Sequence, residues 1–199
     1  MTQTLYQVAI AAFDVANAED PNTEIFEGKS YPKELLYAQR MSYMQQRFAP
    51  EASEAVKLAV RAQHIQRWKI PRSDYPMGKA GYLKWRTTLY KFHAATTGSI
   101  MQAVGYDKEI ITCVKMIVSK KGLKTNSGTQ MLEDVVALVF LERYLLGFAA
   151  QHHEYDEEKW IDIIQKTWRK MSPHAHEFAL SSMIKLPETL IPLILKAVQ

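Results

Sequence analysis

"MLEDVVALVFLERYLLGFAA", residues 131–150, carries apolar side chains on nearly every face once its first turn is past. A helix of that composition needs neighbours all round it, so the stretch predicts a central helix wrapped by others. Upstream, "DKEIITCVKMIVSKK" stops at Gly122 and "YLKWRTTLYKFHAATTGSIMQAV" at Gly105, each a helix ended by glycine. Before them, "EASEAVKLAVRAQHIQRW" repeats Ala52, Ala55, Ala59 and Ala62 three or four apart, which allows close helix contact, and runs to the Ile70-Pro71 step. "PKELLYAQRMSYMQQRF" starts at Pro32 and stops before Pro50, and the first helix, about Thr4 to Ala18, breaks in "NAEDPN". Downstream, "DEEKWIDIIQKTWRKMS", "PHAHEFALSSMIK" and "PETLIPLILKAVQ" read as three more helices with prolines near their starts. No stretch combines period-two alternation with hairpin turn signals. The expectation is an all-α fold, one multi-helix globular domain over residues 1–199, with no repeat or linker.

Composition narrows the class. With 47% hydrophobic and 23% charged residues the chain has the makings of a packed core, and no apolar run is long enough to span a bilayer. The opening "MTQTLYQVAIAAFD" lacks a basic n-region and soon meets Asp14, Glu19 and Asp20, so it does not read as a signal peptide; a cytoplasmic protein without membrane contact is the expectation. The single cysteine, Cys113, has no internal partner and sits among Ile110, Ile111 and Val114, as a small buried hydrophobe would.

Charge is concentrated. Between Arg61 and Lys91 lie eight basic residues and one acid, Asp74, although the whole chain is only +4, so the remainder is net acidic. Trp68, Tyr75, Tyr82, Trp85, Tyr90 and Phe92 are interleaved with those charges. Guanidinium groups bind phosphate oxygens in pairs and aromatic faces stack on bases or on arginine itself. Arg67, Arg72 and Arg86 are therefore candidates to neutralise a phosphate, and Trp68, Tyr75, Tyr82 and Trp85 to hold a ligand. The other reading of the same segment is a solvated basic face with its aromatics turned to the core.

Two histidines fall on inward-facing stripes: His64 after Val56 and Val60, and His93 after Arg86 and Leu89. Glu133 and Asp134 open the most apolar helix, and Asp134 shares a stripe with Ala137, Leu138 and Leu141. An inward carboxylate needs a partner: its own helix N-terminus, an arginine, or a divalent metal ion shared with the histidines. His64, His93 and Asp134 make a chemically sensible ligand set, with Glu133 as an accompanying catalytic carboxylate, yet HExxH, CxxC and ExxH spacings are all missing. His152, His153, His174 and His176 read as structural, Lys166, Arg169 and Lys170 as solvated cations at a helix end, and "NAEDPN" as a turn.

"AQHIQRWKIPRSDYP", "GYLKWR", "FHA", "LEDVVALVFLE" and "KTWRKMS", with "ANAEDPN" and "PKELLYAQRM", together resemble an uncharacterised family, domain of unknown function 4202, over nearly the whole chain. Some plant members carry a glutamyl-tRNA synthetase label, which the absence of a nucleotide-binding strand, loop and helix here does not support. More distantly, the order of elements is similar to the HD superfamily of helical metal-dependent phosphohydrolases. That resemblance implies an HD-like fold with His64 in the histidine-aspartate dyad, His93 as a later histidine and Asp134 as the closing aspartate. The sequence departs from the pattern twice. Ile65 stands at the dyad's aspartate, and the first histidine has only Glu34 and Tyr37 near its place.

Three functions follow from these readings. The first is a metal-dependent hydrolase of a phosphorylated small molecule or nucleotide, with His64, His93 and Asp134 on the metal and Arg67, Arg72 and Arg86 on the phosphate. The second is a catalytically degenerate domain that binds a nucleotide or an RNA phosphate through the same arginines and aromatics. The third is a helical scaffold that contacts another protein.

Overall fold

The computed structural model describes residues 3–198; Met1 and Thr2 of the opening stretch and Gln199 of the last helix lie outside the described residues. Local chemistry starts most helices. Thr4 Oγ1 accepts from the Gln7 amide while the Gln7 side chain accepts from the Thr4 amide, a reciprocal cap on α1 (Leu5–Ala18). Ser53 caps α3 (Glu54–Ala62), which follows α2 (Lys33–Phe48). Met77 precedes α4 (Gly78–Val104), the longest helix described, and Asp107 caps α5 (Lys108–Val118). Asn126 caps α6 (Ser127–Val139), Asp156 caps α8 (Glu157–Trp168) and Ser172, followed by Pro173, caps α9 (Pro173–Ala179). Between α6 and α8 lies α7 (Leu145–Ala150), and α10 (Ile191–Val198) ends the fold.

The fold is mostly α, with one addition that the sequence reading missed. Strands β1 (Thr23–Phe26) and β2 (Lys29–Pro32) pair antiparallel, with Ile25 opposite Ser30 and Phe26 opposite Lys29. Glu27 and Gly28 both have positive φ, which suits a two-residue turn that follows the twist of its strands. Four-residue strands with an exposed Ile25 leave too short an alternation to detect, and Glu-Gly is a weaker turn signal than Asn-Gly.

Two helices also end or bend earlier than their periodicity predicts. The third helix stops at Ala62 rather than at the Ile70-Pro71 step, because Gln66 turns left-handed (φ 49°) and its amide donates to the buried Asn17 side chain at 2.9 Å instead of to the preceding turn. A tertiary hydrogen bond has replaced a helical one. The expected central helix runs from α6 through one π-helical segment, Phe140–Tyr144, into α7, and the extra residue per turn resets which side chains face inward.

The core forms around α6, which packs against α2, α3, α5 and α9. Leu132, Val135, Leu138, Leu141 and Leu145 are essentially inaccessible to solvent and join Leu58, Ile65, Met41, Met44 and Phe13 in one hydrophobic cluster. Cys113 lies partly buried against that cluster rather than within it. Where Gly81 meets the preceding loop, an added Cβ would stand 1.9 Å from the Pro76 carbonyl oxygen, so only glycine lets the start of α4 approach that turn. Among the described residues no helix is long and apolar enough to cross a membrane.

Asp134 is buried, and its protein partners are Ser172 and Gln130 rather than an arginine. One carboxylate oxygen accepts from the Ser172 amide at 2.7 Å and from Gln130 Nε2 at 2.9 Å, and the other accepts from Ser172 Oγ at 2.7 Å. The carboxylate thereby ties α6 to the start of α9. Asp134→Ala leaves the Ser172 groups unpaired inside, and urea unfolding should show a loss on the order of 2–4 kcal/mol. A wild-type midpoint in the variant would contradict this role.

Candidate functional site

A cavity of about 410 Å³ lies between α2, the end of α3, α4, the turn after α5, and α6 with its π segment. The α4 contribution is a single stripe, Tyr82, Arg86, Leu89, Tyr90 and His93, recurring at helical spacing. From α2 come Lys33, Glu34 and Tyr37; from the chain around Gln66 come Gln63, His64 and Arg67. Lys120, Glu133, Phe140, Tyr144, Thr167 and Lys170 complete the polar and aromatic lining, so five cations surround two carboxylates.

The centre of the site is a contact between Glu34 and His64. Glu34 Oε2 is 3.3 Å from His64 Nδ1, while Arg67 Nη1 is 3.3 Å from His64 Nε2 and Arg67 Nε is 4.0 Å from Glu34 Oε1. A guanidinium only donates, so the network assigns an unprotonated Nε2 and a neutral ring with its proton on Nδ1, toward Glu34. Burial, then the charges of Arg67 and Lys120, hold His64 well below the usual histidine range; burial and His64 do the same to His93. Tyr37 stacks on the His64 ring at 4.3 Å, and the two histidine rings lie 5.8 Å apart. Burial raises the Glu34 carboxyl to about 7 despite Arg67, and the nearby Asp20 charge adds to the rise.

Around this centre each cation is steered by a neighbour. Arg67 lies over the Trp85 ring, 4.8 Å from its centroid, and Trp85 is in turn held by donating Nε1–H to the Ile70 carbonyl at 2.9 Å. Arg86 donates to the Tyr82 hydroxyl at 3.3 Å and to the Tyr90 hydroxyl. Lys120, in a left-handed backbone conformation (φ 55°), brings its ammonium to 2.6 Å from Glu133. Burial lowers Lys120 below the usual lysine range against the pull of that carboxylate. Burial alone would raise Glu133, but Lys120 outweighs it and holds the group below the usual glutamate range.

The structure therefore brings together His64, His93, Arg67, Arg86, Tyr82 and Glu133 among the residues singled out in the sequence. Others lie elsewhere. Arg72 spends its guanidinium on the carbonyls of Tyr75 and Pro76, at 2.8 and 2.9 Å, and so braces the loop before α4. Trp68 and Tyr75 are partly buried in that region without lining the cavity, and Trp85 acts one layer out, through Arg67. Lys170, read as a solvated cation, is a lining residue 3.7 Å from Glu133. Lys33, Lys120 and Gln63 carried no sequence signal, because each is brought in by a chain reversal or a helix end rather than by periodicity.

"NAEDPN" is a turn, and it also fixes the centre of the site. Asp20 Oδ2 accepts from the Glu34 amide at 3.0 Å, standing in for an N-cap that Pro32 cannot supply to α2. Three residues earlier, Asn17 accepts from the Gln66 amide, which sets the turn carrying Arg67. One short segment thus positions both sides of the Glu34 and His64 contact.

A family model described as a domain of unknown function, DUF4202, matches residues 7–194. The chain belongs to that family. No curated protein and no solved structure matches it. In this DUF4202 domain the three-ligand metal set expected from sequence does not assemble. Asp134 faces Ser172, Ile65 is fully buried in the core, and the Arg67 guanidinium stands where an ion on His64 Nε2 would have to sit. Among the described residues no three His, Cys, Asp or Glu side chains gather as metal ligands, so the residues present do not fit that ion.

Glu34 titrates near 7 in the folded chain and near 4.5 unfolded, so between those values the folded state holds the extra proton and stability falls as pH rises. Glu34→Gln removes that slope. In urea unfolding the variant should gain on wild type by on the order of 2–3 kcal/mol from about pH 5 to about pH 8, and a difference that stays constant with pH would contradict the burial argument.

Proposed function

We propose that the cavity binds the phosphate of a small phosphorylated molecule or nucleotide and hydrolyses the phosphate ester, in a protein of the cytoplasm. The observation that carries this reading is the excess of cations, Arg67, Arg86 and Lys120 foremost, around two histidines that burial keeps neutral. Guanidinium and ammonium groups in a confined space stabilise the charge that spreads over phosphoryl oxygens in the transition state. With its volume of about 410 Å³ the cavity favours a small molecule over a nucleic acid strand.

The chemistry uses the chain's own groups. When a phosphate draws Arg67 away from Nε2, neutral His64 accepts a proton there from a water molecule attacking phosphorus, and the bond from phosphorus to the ester oxygen breaks. Glu34, beside Nδ1, stabilises the imidazolium so formed, which returns its proton to the departing alkoxide. Arg67, close to both Glu34 and Nε2, holds the phosphate next to the base. Glu133 acts through Lys120, keeping its ammonium in place.

Two measurements test this together. Inorganic phosphate should bind in calorimetry, and Arg67→Ala and Arg86→Ala should each weaken it by about tenfold or more, since a charge-assisted hydrogen bond contributes about 1.5–3 kcal/mol. Phosphate release from a phosphomonoester panel should persist with a chelator present and fall by about a hundredfold in His64→Gln. Absence of phosphate binding sinks the proposal. Binding without turnover, with or without added divalent ions, removes the hydrolysis and leaves the degenerate phosphate-binding reading, which the burial of Ile65 at the dyad's aspartate position favours.

A further inference from the structure

Two polar side chains of the cavity are unused by the phosphate reading. Gln63 caps the C-terminus of α3 beside His64, and His93 lies on the α4 stripe; they are 4% and 2% exposed. Both line the cavity, and Gln63 Oε1 and His93 Nε2 have no hydrogen-bond partner in the protein. Asn17 Nδ2, Arg40 Nε and Thr97 Oγ1 are also unpaired, but none of those residues lines the cavity. Leaving a buried donor or acceptor unpaired costs about 1–3 kcal/mol, so unpaired atoms on side chains that line a cavity point to a ligand group that pairs them once it is bound.

The chemistry of that group follows from the two atoms. A carbonyl-type oxygen needs a donor, and a neutral imidazole nitrogen donates or accepts according to its tautomer. A hydroxyl does both, and it would also pair with Gln63 if the amide were turned the other way. Neither residue carries charge, so neither calls for a second phosphate. Phe140, Tyr37 and Tyr144 add ring surfaces to the lining, as a ligand with an apolar carbon skeleton requires.

We propose that the ligand is a phosphorylated polyol, a sugar phosphate or the ribose phosphate of a mononucleotide, whose hydroxyls pair with Gln63 and His93 while its phosphate meets the cations. This rests on the phosphate reading above. It is tested by calorimetry with inorganic phosphate, phenyl phosphate, ribose 5-phosphate and adenosine 5′-monophosphate. Ribose 5-phosphate should bind about tenfold tighter than phenyl phosphate, the equivalent of one satisfied hydrogen bond. Gln63→Leu should diminish that preference, the remainder being held by His93, and leave the affinity for inorganic phosphate within about twofold of wild type, with Gln63→Met as the alternative should the leucine variant not fold. A further gain for the nucleotide assigns the ribose of a mononucleotide, and parity assigns a free sugar phosphate. Equal binding of ribose 5-phosphate and phenyl phosphate, or a preference undiminished in the Gln63 variant, overturns the inference while the phosphate site stands. Failure of inorganic phosphate itself to bind overturns the reading beneath it.

Discussion

The ammonium of Lys120 sits at the edge of an apolar helix bundle, and the Glu133 carboxylate 2.6 Å away is what holds it there. Taking either charge out of water is costly, and each would be expelled or neutralised without the other. The arrangement of the site follows from that constraint. Arg86, held by tyrosine hydroxyls, and Arg67, spread over Trp85, approach the same space without a carboxylate of their own at short range. The charge left over is positive, in a confined volume where fields are weakly screened. Such a space favours an anion and disfavours a second metal-like cation.

That balance also explains the state of the central pair. Burial first, and then nearby charge, keeps His64 and His93 neutral, so on the proposed reading the base is free to accept a proton at neutral pH. Glu34 is poised between its forms because burial and Asp20 oppose Arg67 and Lys33. Asp134, the carboxylate that the HD resemblance would place on a metal, is instead a structural link between two helices.

Much of this was legible in the chain and some was not, for physical reasons. Helical periodicity with proline and glycine punctuation located most helices, and the basic, aromatic character of residues 61–91 was visible in composition, whereas the stripe of Tyr82, Arg86, Tyr90 and His93 that faces the cavity emerges only in α4. Periodicity fails where the chain leaves it. The Glu27 and Gly28 hairpin is too short to show alternation, and the π segment at Phe140 shifts the inward face by one residue. The left-handed turn at Gln66 depends on Asn17, 49 positions away, and no local rule reaches that far. Lys120 and Lys33 enter the site from helix ends, where a cation ordinarily points to water. Asp134 was correctly read as buried, but burial alone does not say which neighbour satisfies it.

We propose that the excess positive charge of the cavity is a built anion site. It is tested most directly by soaking crystals of the protein in tungstate, a tetrahedral oxyanion located by its anomalous scattering. One principal peak is expected between the side chains of Arg67, Arg86 and Lys120, lost in Arg86→Ala. A peak confined to the exposed lysines of the surface, with none in the cavity, would contradict it.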